Sequence, residues 1–109
     1  MNSPIALFVY SRPDHTHRTI EALKCNPEAA ISDLIVFSDA ARTPQQESAV
    51  AHVRDYVAQI EGFRTLTIHH RPHNFGLAKS IIEGVTEVLK NHERVIVMED
   101  DLVTSLWQW

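Results

Sequence analysis

Four short apolar runs separated by three helical patterns constrain this chain more than any other feature. The runs cover residues 5–10, 34–39, 65–69 (or one residue longer) and 95–99. Each is short and flanked by polar or turn-forming residues, and near-continuous apolar runs of this length are the mark of strands covered on both faces. Between them lie stretches with helical spacing. Ser11 and Asp14 have the separation of a capping box and predict a helix to about Lys24, stopped by Asn26-Pro27. Thr43-Pro44-Gln45-Gln46 supplies an N-cap, a proline at the first helical position and a capping glutamine. Val50, Val53, Val57 and Ile60 then repeat at helical spacing up to Gly62. Asn74-Phe75-Gly76 opens a third helix whose face carries Leu77, Ile81, Ile82, Val85, Val88 and Leu89. The alternation βαβαβαβ predicts a parallel sheet with right-handed crossovers.

The fourth run ends in three carboxylates, Glu99-Asp100-Asp101. Val95-Ile96-Val97-Met98 reads as a central strand, and acids at its carboxyl end fall where open α/β sheets bind ligands. Alternation along the strand sends Glu99 and Asp101 to one side and Asp100 to the other. Three adjacent like charges call for a cation, and a hard divalent ion with oxygen ligands is the natural partner. A solvated acidic turn is the plain alternative.

In a parallel sheet all strands end at one edge, so their terminal residues converge. That edge collects Tyr10-Ser11-Arg12, Ser38-Asp39, the loop 70–76 and the acidic triplet. An aspartate there can accept from a base edge or a ribose, and an arginine can meet phosphate or stack on a base. The third helix offers unbonded N–H groups at its start, Gly76 permits close approach, and Lys79 stands in the first turn. Each residue also has a purely structural use: Asp39 as the cap of a turn, Asn74-Phe75-Gly76 as a helix entry, Arg12 as a surface cation.

Bulk properties narrow the function. With a net charge of −4, the 109-residue chain is no general binder of nucleic acid or anionic membrane. The single cysteine, Cys25, allows no internal disulfide and no multi-cysteine zinc site; it is expected to be a buried or half-buried structural residue. No run approaches the ~18 apolar residues of a membrane span, and no leader is readable, so a cytoplasmic chain is the expectation. Seven histidines invite a metal reading. His69 and His70 face opposite sides of a strand, leaving His70 and His73 as the pair able to share an ion across a loop. His15 and His17 lie near the strand-end edge, where they could touch a phosphate.

The segments 4–14, Phe37-Ser38-Asp39, Asn74-Phe75-Gly76-Leu77-Ala78 and Val97-Met98-Glu99-Asp100-Asp101-Leu102 together resemble glycosyltransferases of the GT-A fold, family 2 type. The acidic triplet is also similar to the Glu-Asp-Asp of an N-acetylglucosaminyltransferase of N-glycan branching. The resemblance implies a Rossmann-like half: four parallel strands in the order 3-2-1-4, helices on both faces, forming the nucleotide-sugar-binding (donor) part. It implies that Tyr10, Ser11 and Arg12 line the nucleoside pocket and that Asp39 contacts the base. Glu99 and Asp100 would contact the donor sugar and ribose, and Asn74, Gly76 and Lys79, at the entry of the third helix, complete the candidate donor-binding set. Asp101 would bind a divalent metal, manganese or magnesium. The implied partner is a nucleotide diphosphate sugar, a UDP-sugar first, and the implied activity is metal-dependent transfer to an acceptor.

Three departures from the family pattern stand out. Ile81 and Ile82 replace a common Arg-Asn pair, with Lys79 as the substitute cation. Ala40-Ala41 replaces a glycine-containing loop, and the sequence ends eight residues after Asp101. The acceptor half and its general base are therefore expected outside this chain, which alone should transfer little. Trp107 and Trp109 read as the fringe of that boundary. The alternative reading is a non-catalytic α/β nucleotide-binding or interaction domain without turnover. A receiver-type phosphoacceptor domain fits less well, because Ser11-Arg12 stands where such domains carry an acidic pair.

Overall fold

The computed structural model describes residues 3–100. Strand β1 (Ile5–Val9) leads through helix α1 (Pro13–Lys24) and a 3-10 turn (Pro27–Ile31) into β2 (Asp33–Ser38). A second 3-10 turn (Pro44–Gln46), helix α2 (Glu47–Val57), β3 (Thr65–His70), helix α3 (Leu77–Leu89) and β4 (Ile96–Glu99) follow. All strand pairings are parallel and the sheet order is β3-β2-β1-β4, as expected. Residues of β1 are buried throughout, so the most apolar run holds the middle. Residues 95–99, expected as a central strand, instead give β4, at the margin of the described sheet with Val97 41% exposed. An apolar run reports only that its faces are mostly covered; its neighbours are set by topology.

The sheet carries helices on both faces. On one, Ile5, Leu7, Val9, Leu34, Val36 and Met98 pack with Ile20 and Leu23 of α1 and Val53 and Val57 of α2. On the other, Ala6, Phe8 and Phe37 pack with Val88 of α3. The two inner strands, β1 and β2, thus send alternate residues into two cores, which requires runs apolar at nearly every position rather than at every second one.

Helix starts depart from the sequence expectation. The cap of α1 is Arg12, not Ser11, and no side chain closes it. Pro13 at the first helical position needs no hydrogen-bond partner there, and Asp14 favours the positive end of the helix. At residues 43–46 the chain makes a 3-10 turn before α2, without a side-chain cap, because Gln46 is engaged elsewhere. The α3 face also differs. Its buried line is Ser80, Gly84 and Val88, while Leu77 (53%), Ile82 (66%) and Leu89 (44%) are exposed. Small residues on that line let the helix settle against Phe8 and Phe37, which turns the bulkier neighbours outward. Cys25, at the C-cap of α1, is exposed rather than buried.

Candidate functional site

The carboxyl ends of the strands surround a cavity of about 350 Å³, within the range of small-molecule sites. Tyr10, Arg12, Asp39, Asn74, Gly76, Glu99 and Asp100 all line it, so most of the residues picked from the strand-end argument meet at one place. Ser11 and Lys79 are not in the lining. The Lys79 ammonium instead lies 4.6 Å from the centre of the Phe75 ring. Phe8, Val9, Arg42, Leu77 and Ser80 complete the wall and were not anticipated. For Arg42 a signal existed, a cation three residues beyond a strand-end aspartate.

Backbone geometry explains why these side chains converge. The Asp39 amide donates to the Val9 carbonyl at 3.0 Å, extending the β1–β2 ladder by one step and fixing the residue at the rim. The Asp39 side chain is almost wholly buried, with the residue 6% exposed, and its charge is met by four donors. One oxygen accepts from the amides of Ala40 and Phe75, each at 2.9 Å. The other accepts from the Gly76 amide at 3.0 Å and from Asn74 Nδ2 at 3.3 Å. Asn74 Nδ2 also donates to the Ala40 carbonyl at 2.9 Å. A carboxylate has about four acceptor positions, and here each is taken. The helix-entry loop is therefore bolted to the end of β2, and the Gly76 amide, expected to face phosphate, is spent on Asp39. Gly76 itself has φ +80°, a left-handed conformation that glycine adopts without strain.

Three arginines shape the edge from behind and beside. Arg54 of α2 donates through Nε to Ser38 Oγ (3.0 Å) and through Nη2 to the carbonyls of Ser38 (3.1 Å) and Arg71 (3.0 Å). Arg71 lies between aromatic faces, 5.0 Å from the Phe37 ring centre and 4.6 Å from that of Phe75, and donates to the Ser80 carbonyl at 3.2 Å. Phe8, Phe37 and His69 form a stack beneath, with successive centres 5.0 and 4.8 Å apart. On the far side, the Tyr10 hydroxyl donates to Gln46 Oε1. The Arg42 amide donates to the Tyr10 hydroxyl and to Gln46 Oε1, both at 3.1 Å. That closure fixes the backbone of residues 42–46 beside the cavity.

At the acidic end, Asp100 turns toward α1. Its carbonyl accepts from Thr19 Oγ1 at 2.8 Å, and its Oδ2 accepts from Tyr10 N and Thr16 Oγ1 at a long 3.4 Å. Glu99 is half-buried on the side of the sheet that faces α3, next to Phe8 in register. Asp101, the residue to which the resemblance assigns the metal, lies outside the described residues, as do Trp107 and Trp109. Among the described residues no group of three or more His, Cys, Asp or Glu side chains is placed to hold a metal ion. Two carboxylates of one cavity are the correct hard donors for magnesium or manganese, which complete their shells with water and ligand phosphates. Glu99, on the α3 side, and Asp100, turned toward α1, are donors of that kind.

The histidines take other positions. His69 stacks on Phe37, His73 leans on Phe75, and His17 stacks on Tyr56 at 4.8 Å. Neither His15 nor His17 lines the strand-edge cavity. His17 instead faces a second cleft, of about 480 Å³, with Pro13, Asp14, Arg18, His52 and Tyr56. No helix among the described residues is long and apolar enough to cross a membrane. Compared with known proteins, the chain matches no family model, no curated protein and no solved structure.

Proposed function

We propose that this chain is the donor-binding part of a glycosyltransferase, holding a nucleotide diphosphate sugar at the carboxyl edge of its sheet. The observation that carries the reading is the meeting of Tyr10, Arg12, Asp39, Asn74, Gly76, Glu99 and Asp100 around one cavity, with Asp101 next in the chain. A uridine diphosphate sugar is the expected donor. The cavity has the size for a nucleoside, with cations and acids both present at its wall. Arg12 and Arg42 supply positive charge for an anionic ligand in a chain that is acidic overall.

Asp101 would hold a manganese or magnesium ion, with Glu99 and Asp100 on the donor sugar and ribose. Such an ion neutralises charge on a nucleoside diphosphate as it departs. What the chain itself does is bind and orient. Tyr10 and the 42–46 turn bound one side of the nucleoside, and the Asn74-Phe75-Gly76 loop bounds the other. A non-catalytic α/β module is the second reading. It is favoured by one observation: the Asp39 carboxylate is fully occupied by its own chain.

Calorimetric titration with uridine diphosphate, with and without manganese, beside an Asp101→Ala control, tests the proposal. Metal-dependent binding that the control loses supports the donor site. A folded chain that binds no uridine, guanosine or thymidine diphosphate, with or without metal, supports the module without turnover.

A further inference from the structure

We infer that Asp39 is a positioning residue, serving a bound nucleotide through the 74–76 loop rather than by touching the base; this rests on the donor-site reading above. The Asp39 carboxylate is buried and each oxygen already accepts two hydrogen bonds, three of the four from backbone amides at 2.9–3.0 Å. A base N–H has no acceptor position left on it unless a native donor is expelled, and expelling one leaves a buried polar group unpaired. The weakest of the four, Asn74 Nδ2 at 3.3 Å, is also held by the Ala40 carbonyl at 2.9 Å.

The carboxylate instead decides where the cavity wall stands. Phe75 and Gly76 are drawn to the end of β2, and Gly76 is the cap from which α3 departs. Asn74, Gly76, Leu77 and Ser80, all on this loop and the first turn of α3, line the cavity. Arg71 fixes the same loop from the other side by lying against the Phe75 ring. The wall is thus clamped between the Asp39 anion, whose acceptor positions are filled by the chain, and the Arg71 cation.

The distinction is measurable because a base contact and a wall contact have different selectivity. In Asp39→Asn one acceptor oxygen becomes a donor facing the Gly76 and Asn74 donors, so the loop is pushed off its seat. Affinities for uridine, cytidine and adenosine diphosphates, titrated with manganese, should each fall by a similar factor of about ten, the fold-change of 1.4 kcal/mol. A carboxylate accepting from uracil N3–H would find no such proton on cytosine or adenine. The order of preference among bases should be unchanged. Asn74→Ala, which removes one donor, should give a smaller but equally uniform loss. A fall confined to the preferred base overturns the inference, as does Asp39→Asn binding all three like the wild type. If Asp39→Asn does not fold, by circular dichroism, Asn74→Ala decides alone: uniform loss supports the inference and unchanged affinity overturns it. A wild-type chain that binds none of the three overturns the donor-site reading and this inference with it. Selective loss overturns the inference alone.

Discussion

Gly84 of α3 lies so close to Phe8 of β1 that a Cβ built on the glycine would stand 2.7 Å from both Cε2 and Cζ of the ring. It would also stand 3.2 Å from Cε2 of Phe37. Phe8 cannot retreat easily, being 3% exposed and stacked on Phe37. Glycine inside a helix ordinarily costs up to ~1 kcal/mol relative to alanine, and that cost is accepted here to bring α3 onto the sheet.

Gly84→Ala should therefore destabilise the chain despite its helical gain. Overpacking of a close-packed core typically costs about 1–3 kcal/mol, which outweighs the propensity term. Urea denaturation should show a lower midpoint at unchanged slope. A higher midpoint would mean that the helix sits farther from Phe8 than described.

A second prediction concerns Arg54, whose guanidinium joins the ends of β2 and β3 through Ser38 and Arg71. Arg54→Met keeps the apolar stem and removes the donors, stranding a serine that is fully buried. The expected loss is about 2 kcal/mol, since bonds to a charged group count for more than neutral ones. Arg54→Lys should recover only part of it, because an ammonium cannot span three acceptors as a fork does. Denaturation of both variants gives the comparison, and a loss below ~0.5 kcal/mol for Arg54→Met, the range of ordinary surface changes, would contradict it.

The same arginine bears on pH. Partial burial, first, and the Arg54 charge, second, hold the His70 imidazole below its ordinary range. The unfolded chain then takes up that proton at a higher pH than the folded one. This residue's share of stability is intact above ~6.5 and is lost as pH falls from there through the folded value. A site-resolved NMR titration should place His70 below an unfolded-peptide histidine, and Arg54→Met should move it part of the way back. A His70 midpoint at or above the peptide value would contradict this.

Much of the fold was legible because two features of the chain agree. Apolar runs too continuous for a one-sided sheet demanded helices on both faces, and helical spacing between every pair of runs demanded parallel strands. The site was legible only as a location. Strand ends in a parallel sheet converge whatever their residues, so Tyr10, Arg12, Asp39 and Glu99 could be brought together from order alone. What each side chain bonds to was not readable. The capture of the Phe75 and Gly76 amides by Asp39 joins residues 36 and 37 positions apart, and nothing local marks it. The capping box at Ser11 and Asp14 failed for a related reason. Pro13 fixes the start of α1 one residue later than the spacing of polar side chains suggested. The buried line of α3 was missed because small residues, Ser80 and Gly84, carry the packing where larger ones were counted.

The most direct test of the account is an amide proton–nitrogen correlation spectrum of the chain titrated with uridine diphosphate and magnesium. The account predicts shifts concentrated at Tyr10, Arg12, Asp39, Asn74, Gly76 and Asp100, with His17, His52 and Tyr56 of the second cleft unmoved. Shifts confined to that second cleft, or a folded chain whose spectrum does not change at saturating nucleotide, would contradict it.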